Sequence, residues 1–237
     1  PEGGFAFGFI DAQAKVTYDL TPTHQVSIST LLGRAVFEEG ESDIDPNEIR
    51  RGVSRAWLTS LSWRYLPGPR FAVTQRVFFT GLDFDNVNDA GATIDAVRST
   101  ELGWRADASF SPAARTVVEF GGDVERLDGR NRLVRQLSAA TPPVTLNQYD
   151  ERASAVSAYG QVRVGLGPRL SVAPGARVDH WSLTGATTGS PWINAELRLS
   201  ERTRLRGGTG IYQQFPDLDA VHGFNAGVDL KPERALH

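Results

Sequence analysis

Apolar and polar residues alternate along most of this chain, and the alternating runs come in pairs. Residues 12 to 20 set Ala12, Ala14, Val16, Tyr18 and Leu20 against Gln13, Lys15, Thr17 and Asp19. Residues 101 to 110 repeat the pattern, with Leu102, Trp104, Ala106, Ala108 and Phe110 against Glu101, Gly103, Arg105, Asp107 and Ser109. Residues 191 to 199 do so again, with Ile193, Ala195, Leu197 and Leu199 against Asn194, Glu196 and Arg198. A period of two is that of a β-strand with one face in an apolar medium and the other in a polar one. Two positions break the rule: Gln75 among Phe71, Val73, Val77 and Phe79, and Arg34 in the run after His24.

A short turn phrase joins the runs in pairs. It reads Leu20-Thr21-Pro22-Thr23-His24, Leu66-Pro67-Gly68-Pro69-Arg70 and Phe110-Ser111-Pro112-Ala113-Ala114-Arg115, then Leu166-Gly167-Pro168-Arg169-Leu170 and Leu199-Ser200-Glu201-Arg202-Thr203. Strands are therefore expected near 12–20, 24–37, 53–66, 70–81, 97–110, 115–127, 151–166, 169–181, 191–199 and 203–213, with an eleventh beginning near 231. Between the pairs lie longer segments rich in Asp, Gly, Asn and Pro, near 38–52, 82–96, 128–150, 182–190 and 214–230. Segments of that length in compact domains usually carry function. Short turns at one end and long loops at the other describe an all-β, antiparallel up-and-down sheet whose ends face different environments, as in a transmembrane β-barrel.

A soluble sandwich also alternates, so the barrel reading needs more than periodicity. The expected strands run to roughly 10–16 residues, where globular strands have a mode of about 5–6 and a tilted membrane strand needs about 9–11. The polar face mixes both charge signs, as a lumen packed against another protein element would. Tyr18, Trp63, Tyr65, Phe71 and Phe110 by the short turns, and Trp181 and Trp192 by a long loop, fit aromatic girdles at the two interfaces.

Composition agrees once lipid is met by every second residue only. A mean hydropathy of −0.28 and 40% hydrophobic residues argue against membrane helices, not against a barrel. The 25 basic residues are scattered within a net charge of −3, which gives no nucleic-acid footprint. Cysteine is absent, excluding disulfides, thiolate metal sites and cysteine nucleophiles. No signal-peptide pattern opens the chain, and both ends, starting with Pro1-Glu2-Gly3-Gly4, read as cuts within one domain spanning 1–237.

Specific phrases then resemble a family. Gly210-Ile211-Tyr212-Gln213-Gln214-Phe215-Pro216-Asp217-Leu218, followed by Leu230-Lys231-Pro232-Glu233, is similar to the tail of the barrel in TonB-dependent outer-membrane receptors. Ser157-Ala158-Tyr159-Gly160-Gln161 with Gly175-Ala176-Arg177-Val178-Asp179 resembles the family's "AYxQ … GxRxD" strand pair. Ser190-Pro191-Trp192-Ile193 resembles its "SPR" strand, with Trp192 in place of the usual Arg. The likeness is specific in 151–237 and general in 1–150.

The resemblance implies about half of a 22-stranded barrel in the bacterial outer membrane. It implies a receptor and transporter, not an enzyme, that takes up a scarce solute (siderophore, cobalamin, glycan or peptide) by TonB-coupled transport. Its partners would be an N-terminal plug domain, a TonB-type energy-coupling complex acting through the plug, outer-membrane lipid with lipopolysaccharide, and the solute. No cofactor is implied. Three other readings stay open: a passive porin-like channel, a soluble extracellular carbohydrate-binding module, and a barrel enzyme.

Candidate ligand contacts are Tyr212, Gln213, Gln214, Phe215 and Asp217, where aromatic and amide groups leave a strand toward the long-loop side. Asp83, Asp85, Asn86, Asn88 and Asp89 are rich in oxygen, but their spacing does not match a Ca²⁺ loop, and they read as a solvated acidic loop. Glu38, Glu39, Glu41, Asp43, Asp45 and Glu48 make a second acidic loop. His24, His180, His222 and His237 have no zinc spacing. Gly121-Gly122 and Gly207-Gly208-Thr209-Gly210 sit within strand patterns and are expected to ease curvature or close packing rather than hold phosphate. Asp123 and Glu125 share a strand face and read as lumen packing.

Overall fold

The computed structural model describes residues 4–40, 45–137, 141–224, 226–227 and 230–237. The strands are β1 (Phe5–Thr21), β2 (His24–Glu39), β3 (Arg51–Gly68), β4 (Phe71–Val87), β5 (Thr93–Ala113) and β6 (Thr116–Arg135). Then come β7 (Val144–Leu166), β8 (Leu170–Trp181), β9 (Ala186–Arg198), β10 (Arg204–Gln214), the helix α1 (Leu218–His222) and β11 (Glu233–Leu236). All 11 strands form one sheet in strict chain order, each antiparallel to the next, and the sheet is not closed.

The five turn phrases all fall at one end of this sheet. Three of them leave only two residues between paired strand ends, Thr21 with His24, Gly68 with Phe71 and Ala113 with Thr116; in the first, the Thr21 hydroxyl accepts from the His24 amide at 3.1 Å. Along every strand the register separates two faces. One face carries Val16, Ile28, Leu61, Val77, Trp104, Val124 and Val156, each facing its neighbour across the ladder. The opposite face carries Arg105, Asp123, Ser157 and Asp179 in one such row. The apolar face is broadly exposed, with Leu102 at 53% and Trp104 at 43%, as expected of a wall whose solvent is lipid.

Near the short turns the apolar face ends in aromatics. His24, Trp63 and Tyr65 form a mutual cluster, with His24 at 5.6 Å from Trp63 and 4.5 Å from Tyr65 and those two rings 5.9 Å apart, and Trp63 Nε1 donates to His24 Nδ1 at 3.1 Å. The second expected girdle is corrected. Trp181 and Trp192 both stand on the polar face: Trp181 is buried at 6% exposure, and Trp192 Nε1 donates to Gln161 Oε1 at 3.2 Å.

Strands also reach further toward the long-loop side than the alternation predicts; β7 alone has 23 residues. Asp83, Asp85 and Asn86 belong to β4 and not to a loop, with Asp83 bridged by Arg55 at 3.1 Å. Above the lipid both faces of a ribbon are wet, so the backbone ladder continues after its apolar signature has stopped. Arg34 is explained in the same way: it stands where the apolar face of β2 ends.

The second acidic segment also begins inside a strand. Glu38 pairs with Arg51 at 3.2 Å, and Asp45 accepts from the Asn47 amide at 2.8 Å. Glu41 and Asp43 lie outside the described residues, as do Pro1, Glu2 and Gly3. Among the described residues no group of acidic or histidine side chains is arranged to hold a metal.

Candidate functional site

The polar face changes character along its height. In the middle it is a web of ions and hydrogen bonds. Asp123, at 5% exposure, accepts from Arg105 at 3.4 Å and from Arg177 at 3.3 Å, while Arg177 Nε donates to Asp179 at 2.6 Å. Tyr159 donates from its hydroxyl to Asp107 at 2.7 Å, reaching two strands across. The ring passes over Gly121, where a Cβ would stand 2.7 Å from it, so this glycine serves close packing. Gln161 donates to Glu119, extending the web to β6.

Toward the long-loop end the same face becomes apolar, and the segment after β10 turns back onto it. Leu218, Trp181 and Ala153 form a buried cluster, with Leu127, Tyr149, Ala155, Leu183 and Phe215 packed around it. Phe215 stacks on Trp181 at 6.3 Å, and the His222 ring meets Tyr149 at 6.2 Å. Gly129 makes room for this: a Cβ there would lie 2.5 Å from the Leu218 side chain. Asn131 Nδ2 donates to Asp219 at 3.4 Å, a weaker tie at the rim.

These contacts separate the five candidate residues. Tyr212 and Gln214 point to the polar face, in register with Arg206, and both are exposed. Gln213 points to the other face and donates to the Gly189 carbonyl at 2.8 Å. Phe215 covers Trp181, and Asp217 caps α1 by accepting from the Ala220 amide at 2.7 Å. The Tyr212 ring also meets His237 edge-on at 5.4 Å. Tyr212 and Gln214 are therefore left open to the lumen, on the same face as an aromatic floor made by Trp181 and Phe215.

The alternation did not reveal that floor or the helix resting on it. Its signal was present as an inversion: Leu127, Tyr149, Ala153, Ala155 and Trp181 are apolar or small in the register that is charged lower down. Three adjacent strands inverting at the same height announce something folded onto them. Gly129→Val should unseat α1, because filling that space is an overpacking of about 1–3 kcal/mol. Limited proteolysis of the full-length protein should then cut within 215–224 about five- to a hundredfold faster, as that cost implies at about 1.4 kcal/mol per factor of ten, with the barrel itself intact. An unchanged cleavage rate would show that Leu218 does not anchor the segment.

The sequence pattern of the family described as TonB dependent receptor-like, beta-barrel matches residues 3–237. No curated protein matches the sequence. Among solved structures, the siderophore receptor PirA from Pseudomonas aeruginosa is similar with a TM-score of 0.68 at 14% identity, over 90% of this chain and 34% of that one. The copper transporter OprC is similar with a TM-score of 0.75 at 15% identity, over 98% and 42%. The FrpB iron transporter from Neisseria meningitidis gives 0.73 at 12% identity, over 97% and 41%. The chain thus spans between a third and about two-fifths of the length of these proteins.

Proposed function

Because the chain belongs to the TonB-dependent receptor-like β-barrel family, we propose that it builds part of the wall and upper lumen of a receptor that captures a scarce solute for energy-coupled uptake. That membership puts it in the bacterial outer membrane and among transporters, not enzymes. Short turns of such barrels face the periplasm and long loops the exterior, so the Trp181 floor and Tyr212 lie at the outer end of the lumen. The observation that carries the reading is the opposition of the two faces: an apolar wall outside, interrupted at Gln75, and inside it a charged lumen that ends upward in aromatics and amides. A solute with both flat and polar parts meets stacking surface and hydrogen-bond partners there.

The remaining partners follow from the same proposal. A plug domain would fill the charged lumen and answer to a TonB-type coupling complex, and lipopolysaccharide would surround the upper wall. Tyr212 and Gln214 are the proposed solute contacts. Gln213, Phe215 and Asp217 would act from behind, holding the segment in place. The solute class, whether siderophore, cobalamin, glycan or peptide, is a question for uptake measurements.

The test uses cells with and without the full-length gene, each with and without the coupling protein. Uptake of a ferric siderophore, cyanocobalamin, a maltodextrin and a peptide is measured in parallel. Uptake of one of them that needs both gene and coupling protein is expected. Uptake that ignores the coupling protein would instead indicate a passive pore. For the solute so found, Tyr212→Ala with Gln214→Ala should weaken binding about tenfold or more at normal outer-membrane abundance. Unchanged binding would return both residues to the scaffold.

A further inference from the structure

β7 extends well past its neighbour on the long-loop side. It begins at Val144, whereas β8 turns back at Trp181. The last bonds between the two strands are at Ser154. Its carbonyl accepts from the Ser182 amide at 2.9 Å, and its amide donates to the Ser182 hydroxyl at 2.7 Å. Both backbone groups of Ser154 thus point away from β6. Alternate residues of an antiparallel ribbon point the same way, so Arg152, Asp150 and Gln148 also turn an amide and a carbonyl to that side. Among the described residues nothing bonds to them there, although pairing with β6 is regular from Asn147 to Ser154. β8 is the neighbour on that side in the strand order, and it has already turned.

Sheets usually protect such an edge with lysine, proline, a bulge or a covering element. Residues 147–154 contain no lysine, no proline and no bulge. Their charges are turned back across the sheet: Asp150 to Arg130 at 3.0 Å and Arg152 to Asp128 at 2.6 Å, both on β6. The inward side chains offer a mixed surface instead. Tyr149 and Ala153 belong to the cluster around Trp181. Glu151 stands between them, with no cation within 4.0 Å among the described residues.

We propose that this edge of β7 binds an extended peptide by strand addition, above the β8–β9 turn, and that a peptide is the solute received. Donors and acceptors here repeat every second residue, about 7 Å apart, a spacing that a peptide backbone matches and a sugar or metal chelate does not. Residues facing the open side without bonding to it pair most closely with an incoming strand, so Tyr149, Glu151 and Ala153 meet its side chains. An apolar side chain suits Tyr149 and Ala153, which continue into the Trp181 floor, and a basic one suits Glu151. The inference deepens the receptor reading and rests on it for the claim that the bound peptide is carried inward. The edge itself does not depend on transport.

The experiment presents full-length wild-type protein in detergent with a library of random heptapeptides, and the bound peptides are sequenced by mass spectrometry. Enriched peptides should carry Lys or Arg at one position, and Glu151→Gln should remove that preference. The tightest binder is then N-methylated one residue at a time. Methylation at alternate residues should weaken binding about tenfold, and at the residues between them should leave it unchanged. Gln148→Pro deletes an edge amide without touching the bonds to β6, and should cost a similar factor; Gln148→Ala should bind as wild type. No enrichment by wild type, or N-methylation that acts equally everywhere, would overturn strand addition even if the proline variant failed to fold. A full-length protein that sediments as a dimer, and as a monomer after Gln148→Pro, would give the edge to a second copy and overturn the peptide. Energy-coupled uptake confined to a non-peptide solute would overturn the peptide as cargo and leave the receptor reading intact. Peptide binding without coupled uptake of any solute would sink the receptor reading and leave the edge site standing.

Discussion

Ala106→Arg in the full-length protein is expected to lower stability in a bilayer by about 2–4 kcal/mol. Ala106 stands on the outward face of β5, between Gln75 of β4 and Gly122 of β6, near the middle of the apolar stretch from Leu102 to Phe110. From there a guanidinium is farthest from either interface, and no carboxylate shares its row. The control is Thr80→Arg on the inward face, directly opposite Glu101, where a new cation gains a partner and meets no lipid. Its effect should stay within about 0.5 kcal/mol. Arg105 is not a usable control, because it helps to hold the buried Asp123 at 3.4 Å. Equilibrium urea titration in phospholipid vesicles measures both variants. Equal losses at the two positions would mean that the outward face does not meet lipid.

The 237-residue chain by itself is expected to form oligomers or aggregates rather than a folded monomer. β1 and β11 are the two ends of the strand order and are not paired with each other. β1 has a free edge over 17 residues, with Phe5, Phe7 and Phe9 at 75%, 62% and 72% exposure. Unpaired amides and carbonyls are not tolerated in hydrocarbon, and in water a flat apolar edge recruits other strands. Sedimentation in mild detergent, with a thermal melt, decides the matter. A monodisperse monomer that melts cooperatively would show that these strands satisfy their edges alone.

Much of the architecture was legible because one physical fact repeats. Wherever a strand crosses lipid, alternate side chains must differ in polarity, so residues 101–110 and 191–199 declare both their conformation and their faces. The turn phrases were equally readable, since proline and glycine restrict the backbone whatever lies around them. Legibility ended at the membrane's upper edge. In β4 the sequence Asp83-Phe84-Asp85-Asn86 has the composition of a loop, yet its amides pair with β5 as regularly as those below. Polarity no longer reports on the ladder there, because water solvates both faces.

The candidate site divides along the same line. The sequence by itself determined that the chain is a barrel wall, which face is lipid's, and that Tyr212 and Gln214 leave β10 toward the long-loop side. It also held the inversion at Tyr149, Ala153 and Trp181 without saying what filled it. Only the tertiary structure decided that Leu218 rests over Gly129, that Phe215 covers Trp181, and that Trp181 and Trp192 look inward. It alone brought Arg98 opposite Arg130 and set Arg34 opposite Arg55. Alternation is a local consequence of the medium beside each residue. Register and the path of a returning segment depend on partners tens of residues away, and those meet only when the sheet is formed.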